Sequence, residues 1–406
     1  MAVQRTSRAG FTLVEMLVAT LIMVAVTGAI FSVMNPAQGT YQTQPEVSDM
    51  QQRMRIGVDS LTKDIIMAGA GTYMGANAGA LYNYFAPIMP YRSGDTNSDP
   101  SKGVFYRADT ISLMYVPPTS AQTGVNKAMG NGNSQELDVD AQPQCGTDKH
   151  DALCGFKAGM HVLIMEIDGT WDFTTITNVQ DEALHLQHSG KLSGGYSSGS
   201  AMITEVAAHT YYLKSDNATN TYQLMHYDGA STDLPIVDNV VKLNFQYFGD
   251  PQPPTLVPGK SLCVAGVKGP FTTYGPKPPC LATAGTGGYA QGENCAFKVV
   301  NGLQVPRLDV LGAGGVGQVE LTQAQLTDGP WCPGADSTNY PNRFDADLFR
   351  IRRVKATMRV QSAVAALRGP AGVLFAHGGT SLGGNKLAPD QEIQFSVTPR
   401  NMTLGR

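Results

Sequence analysis

The residues with the clearest chemical potential lie at the N-terminus. Gly10 and Phe11 open the run Gly-Phe-Thr-Leu-Val-Glu, and Glu15 is the one charge between Phe11 and Met34. A charge at the centre of a lipid-spanning helix costs about 2.5–3.5 kcal/mol, and less near its end. A carboxylate in that setting calls for a compensating partner. The helix macrodipole supplies part of it, because the first turn favours negative charge. Arg5 and Arg8 precede the run. Positive charge before a span keeps that end cytoplasmic and sends the rest of the chain across.

The second set is six cysteines: Cys145, Cys154, Cys263, Cys280, Cys295 and Cys332. None forms a C-x-x-C pair, which argues against a zinc ribbon or a thioredoxin-like site. An even number in Gly-, Pro- and Thr-rich surroundings points to disulfides and an oxidising compartment. Sequence does not choose among the possible connectivities. Nearest-neighbour pairing is the expectation: Cys145–Cys154, Cys263–Cys280 and Cys295–Cys332. Buried free thiols are the alternative.

Other constellations are weaker. There is no Ser-His-Asp set, no H-E-x-x-H and no phosphate loop, so no catalytic residues, cofactor or enzymatic activity are expected. Gly312–Gly317 (GAGGVG) resembles a dinucleotide loop but lacks a β-α context. The seven histidines are scattered along the chain. His185 and His188 are three apart, which in a strand puts them on opposite faces. No metal site is expected. Asp95-Thr96-Asn97-Ser98-Asp99 opens like a calcium loop, but Pro100 and Tyr106 occupy the positions of the required Gly and Glu. Arg350, Arg352, Arg353 and Lys355 could touch nucleic acid, although a solvated or inter-subunit face is the preferred reading.

The composition agrees. The chain has 406 residues, a net charge of −4, and 15% charged residues, against roughly 25% in ordinary soluble domains. That excludes a histone-like binder, a coiled coil and a multi-span membrane protein. It fits an exported, β-rich protein, and nucleic acid is not an expected partner.

The element that must position Glu15 is a helix. Phe11–Met34 would span about 36 Å as a helix, enough for a bilayer core of about 30 Å. A cleaved signal peptide is the alternative, with Thr27-Gly28-Ala29 as its cleavage site, but it has no use for Glu15. The stretch from Asn35-Pro36 to Pro45 is expected to bend or interrupt the helix. Helical pattern then resumes as one apolar stripe of Val47, Met50, Met54, Val58, Leu61, Ile65 and Ala68, ended by Gly69-Ala70-Gly71.

The Gly10-Phe11 junction with Glu15 resembles the class III signal of type IV prepilins. That resemblance implies cleavage between Gly10 and Phe11 by a prepilin peptidase and N-methylation of Phe11. It also implies an assembly role for Glu15, paired with the α-amine of a neighbouring subunit. In a filament core such a desolvated pair sets register more than it adds stability. Small residues Ala19, Ala25, Gly28 and Ala29 would let helices pack closely.

Beyond residue 72 the pattern is strands and turns. Thr110–Val116, Met160–Ile167, Trp171–Val179, Ala183–His188, Ala201–Val206, Thr210–Lys214, Tyr222–Tyr227, Val240–Phe248, Arg353–Gln361 and Gln394–Thr398 read as strands. Val241, Leu243, Phe245 and Tyr247 should share one face, as should Val354, Ala356, Met358 and Val360. An antiparallel meander is expected. Residues 249–342 read as a disulfide-stabilised insertion, a length that usually carries function. Residues 75–103 and 117–158 read as irregular loops.

Gln51–Ala70, Tyr211–Leu213, Val240–Tyr247, Arg353–Val360 and Thr398-Pro399-Arg400-Asn401 extend the resemblance to the PilW minor pilins and the J pseudopilins of type II secretion. The expected fold is α+β and pilin-like: a long N-terminal helix on an antiparallel sheet, with a disulfide-rich insertion. The expected parts are a leader (1–10), a transmembrane and filament-core helix (11–34) and its amphipathic half (35–71). A globular domain (72–248), the insertion (249–342) and C-terminal strands (343–406) complete the chain. The resemblance implies a minor pilin that helps prime a filament, with other minor pilins, the major pilin and an inner-membrane assembly platform as partners. It would sit in the inner membrane with its C-terminus in the periplasm, then in the pilus. A pseudopilin, or a tip-displayed adhesin using the insertion, is the alternative.

Overall fold

The computed structural model describes residues 10–71, 80–92, 106–129, 136–146, 148–166, 169–190, 192, 195–216, 221–229, 232–257, 272–285, 287–312, 317–334, 343–368 and 388–402. One compact unit holds Met1–Gln52 with Gln361–Gln391. The other holds Arg53–Val360 with Glu392–Arg406.

Helix α1 runs from Leu13 to Met67. The interruption expected between Asn35 and Pro45 does not occur. Each proline removes one backbone hydrogen bond, but strong helix-forming stretches on both sides propagate through the gap. Leu61, Ile65 and Ala68 of the apolar stripe are fully buried. The helix ends where expected, with Gly69 at φ +81°. The chain then pairs onward, Gly69 N–H donating to the Met114 carbonyl at 2.9 Å.

The strands, in chain order, begin with β1 (Ile88–Met89), β2 (Thr110–Tyr115), β3 (Gln122–Gly124), β4 (Glu136–Asp138), β5 (His161–Met165), β6 (Trp171–Gln180), β7 (His185–His188) and β8 (Met202–Glu205). Then come β9 (Ala207–Asp216), β10 (Thr221–Tyr227), β11 (Asp233–Asp238), β12 (Val240–Gly249), β13 (Phe297–Val300), β14 (Leu303–Pro306) and β15 (Val319–Leu321). The last are β16 (Trp331–Cys332), β17 (Phe344–Asp345), β18 (Ile351–Val360) and β19 (Gln391–Val397).

They do not form one meander. Three larger sheets run β1-β2-β9-β10-β11, β15-β12-β18-β19 and β3-β8-β5-β6-β7-β4. The third is inserted between β2 and β9 and has its own apolar core, including Val125, Leu137, Val162, Ile164, Ile176, Leu186 and Ile203. Part of it arises from the stretch read as a loop. β3 and β4 are only three residues long and rich in Gln, Thr, Glu and Asp, so no alternation announces them. The first two sheets meet where Phe245 N–H donates to the Ala108 carbonyl at 2.7 Å.

The part of α1 from Arg53 to Met67 lies on these sheets. β2 places Leu113 opposite His209, and β9 places Tyr211 opposite His226. Period-2 alternation therefore puts Leu113, Tyr115, His209, Tyr211 and His226 on one face. Gly57 permits the approach, since a Cβ there would stand 2.9 Å from both Sδ and Cε of Met358. On β18, Val354, Ala356, Met358 and Val360 are all buried as expected. On β12, Leu243, Phe245 and Tyr247 are buried, but Val240 replaces Val241. The register shifts between Val240 and Lys242, and a bulge flips the residue beyond it to the other face.

The segment 249–342 is not separate from the core. Its β15 pairs with β12, Tyr247 opposite Leu321.

Candidate assembly site at the N-terminus

Gly10 and Phe11 lie outside the helix. Phe11 is 87% exposed, and nothing stands within 4 Å of where a Gly10 Cβ would be. Among the described residues, none covers either of them.

Thr12 precedes the first helical residue and binds Glu15 reciprocally. Thr12 N–H and Oγ1–H donate to Glu15 Oε2 at 2.8 and 2.9 Å, and Glu15 N–H donates to Thr12 Oγ1 at 3.3 Å. This is a capping box. Sequence reasoning missed Thr12, although the Thr-x-x-Glu spacing before an apolar run is its signature. Both capping bonds fall on Oε2, so Glu15 Oε1 takes part in neither. Glu15 can thus close its own helix and still present an oxygen to a positive group.

From Leu13 to Ser32 the helix is apolar, long enough to cross a membrane, and covered by none of the described residues. Leu13, Leu21, Met23, Val24 and Phe31 are all more than 60% exposed. A continuous apolar surface of this size requires lipid or other helices against it.

The other sequence-predicted residues fall elsewhere. Cys145–Cys154 and Cys295–Cys332 are bonded, with Cα atoms 5.7 and 5.0 Å apart. Cys280 is also disulfide-bonded, and Cys263 lies outside the described residues. So do Asp95–Asp99 and most of the Gly312–Gly317 loop. His185 Nε2 lies 2.6 Å from Asp138 Oδ1, while His188 is buried.

The arginine cluster requires a correction. Arg350 and Arg352 are 0% and 2% exposed, so they offer no solvated face and no surface to nucleic acid. Arg350 donates to the carbonyls of Asp250 and Pro251 at 3.2 Å each, and also to the Asp309 carbonyl and the Asp347 carboxylate. Arg352 pairs with Asp250 Oδ2 at 2.9 Å. A guanidinium has donors enough to satisfy several carbonyls at once. These two arginines hold the start of the 249–342 segment against the base of β18. Alternation along a strand does not reveal this, because the carbonyls come from about 100 residues away in sequence.

The comparisons fit the geometry. Residues 5–31 match the prokaryotic N-terminal methylation motif. The chain is 31% identical over 143 residues to the pilin-like protein PilA3 of Thermus thermophilus, covering 34% of this chain and 57% of the relative. The match therefore spans a little over half of that protein's length. No solved structure matches. With the apolar helix and the antiparallel sheets, these findings support a type IV pilin-like protein of α+β fold.

Proposed function

We propose that this chain is a minor pilin of the PilW type, a structural subunit and not an enzyme, that helps prime a type IV pilus near its tip. A prepilin peptidase cleaves between Gly10 and Phe11, and the new Phe11 amine is methylated. The Leu13–Ser32 span holds the chain in the inner membrane with the globular part in the periplasm. An assembly platform then moves it into the filament beside other minor pilins and the major pilin, where Glu15 pairs with a neighbour's amine. The observation that carries this reading is the methylation motif over residues 5–31 running directly into an uncovered apolar helix.

Intact mass and N-terminal sequencing of membrane-extracted protein test the processing. A start at N-methylated Phe11 is expected. A start near Asn35, or an uncut Met1, overturns the reading. Deletion of the gene should reduce piliation. If piliation is normal and secretion fails instead, the type II pseudopilin reading replaces the pilus one.

One observation favours display as a second role. Leu281, Val300, Leu303 and Val310 of the 249–342 segment are 44–69% exposed, and the β13–β14 hairpin carries two of them at its turn. Deleting the whole segment would remove β15 from its sheet, so the cleaner variant is Val300→Ser with Leu303→Ser. Lost adhesion with normal piliation supports display. Unchanged adhesion removes it.

A further inference from the structure

The histidines that look scattered along the sequence are not all scattered in space. His209 of β9 and His226 of β10 stack with ring centroids 4.9 Å apart, and His209 Nδ1 lies 2.7 Å from His226 Nε2. Asp64, on α1, faces them from across the helix–sheet interface. Its Oδ2 is 3.8 Å from His209 Nδ1. One ligand atom from each of Asp64, His209 and His226 lies within 4.8 Å of the others.

We propose that Asp64, His209 and His226 form a binding site for a divalent transition-metal ion, with zinc the best fit. Two imidazoles and one carboxylate are borderline ligands of the kind zinc takes, and three protein ligands leave a fourth position for water. Bonds of about 2.0–2.1 Å in a tetrahedron put ligand atoms about 3.3–3.4 Å apart. The 2.7 Å between the two imidazole nitrogens and the 3.8 Å from His209 to Asp64 bracket that spacing, and the third separation lies within 4.8 Å, so side-chain adjustment closes the site around an ion.

The surroundings support the ligands as an outer shell does. Tyr211 OH donates to Asp64 Oδ2 at 2.5 Å, and Tyr115 OH lies 3.4 Å from Asp64 Oδ1. Tyr115 OH is also 3.2 Å from His209 Nε2, which orients the ring with Nδ1 toward His226. Burial and the Asp64 charge push Tyr115 up to about 12 and raise Tyr211 as well, so both stay hydroxyl donors. Asp64 is 5% exposed. Burial lowers both imidazoles, a shift toward the unprotonated form that binds metal. A cation there would compensate the buried carboxylate and staple the end of α1 to two strands.

The test uses full-length protein in detergent, stripped with chelator and titrated with Zn²⁺ alone by calorimetry. Bound metal is counted by mass spectrometry. One zinc per chain is expected. His209→Gln and His226→Gln should each weaken binding by more than about tenfold, the scale that even outer-shell losses reach. His185→Gln, which disturbs only the pair with Glu136 and Asp138, should not. Zinc should raise the melting temperature of the wild type and not of H226Q. If a variant fails to fold, X-ray absorption on the zinc-loaded wild type decides. A nitrogen/oxygen shell with two imidazoles supports the site. A shell without them, no stoichiometric uptake, or unchanged affinity in H226Q overturns it. None of these readouts depends on piliation.

Discussion

Tyr211 OH donates a 2.5 Å hydrogen bond to Asp64 Oδ2 across the helix–sheet interface. Both groups are buried, so the bond ties α1 to β9 where water does not compete. Hydrogen bonds to charged groups contribute about 1.5–3 kcal/mol. Tyr211→Phe keeps the ring and removes the donor. It should lower stability by about 2 kcal/mol, read as a drop in the urea midpoint with an unchanged slope. A loss within error would mean that Tyr115 alone satisfies Asp64.

The capping box separates two roles of Glu15. Glu15→Gln keeps an oxygen for the Thr12 bonds and loses the charge. Glu15→Ala loses both, and Thr12→Ala loses only the hydroxyl part of the cap. With pairing to a neighbour's amine as the driver, both Glu15 variants should be processed normally yet scarce in sheared filaments, while Thr12→Ala is incorporated. Immunoblots of membrane and filament fractions read this directly. Normal incorporation of Glu15→Gln would assign the residue to capping alone.

These two sites differ in how readable they are from sequence. The local features are legible: the span, the Gly69 stop, and the main strands from Thr110–Tyr115 to Gln391–Val397, because β-branched and aromatic runs or apolar alternation mark them. The Gly10-Phe11-Glu15 pattern is legible for a related reason, lying within six residues. The features that escape depend on distant segments. Asp64 meets His209 and His226 only after α1 docks on the sheet. Arg350 reads as a surface charge until carbonyls about 100 residues upstream wrap it. The β12 bulge at Val240–Lys242 exchanges which valine is buried, and a period-2 pattern carries no mark for an extra residue.

The Cys145–Cys154 and Cys295–Cys332 disulfides should differ in worth because they close different loops. The first spans 9 residues and the second 37. In the chain-entropy account the shorter loop stabilises by about 2.5 kcal/mol and the longer by about 4 kcal/mol. Paired Cys→Ser variants should therefore rank with Cys295/Cys332 the more damaging. Thermal melting of each double variant checks the order. Equal losses would show that the unfolded chain, and not loop length, sets their effect.

Asp345 gives the fold a pH dependence of definite sign. Burial pushes its carboxyl up to about 7, against the pull of the backbone N–H groups of Asp347 and Gly329 that it accepts at 2.8 and 2.6 Å. Burial likewise raises Asp347 to about 6, even with Arg350 beside it. In the unfolded chain both titrate near the ordinary value of about 3.9. Between about pH 4 and pH 7 the folded state thus holds protons that the unfolded state has released. The contribution of these two groups to stability falls as pH rises through that window and is level on either side of it. For Asp345 the change is on the order of 4 kcal/mol. Asp345→Asn keeps an acceptor for the backbone but cannot ionise. Its melting temperature, measured from pH 4 to pH 8 on the full chain in detergent, should vary less than the wild type's. The variant should gain on the wild type toward neutral pH. A constant difference between the two across that range would mean that Asp345 is ionised in the folded state throughout.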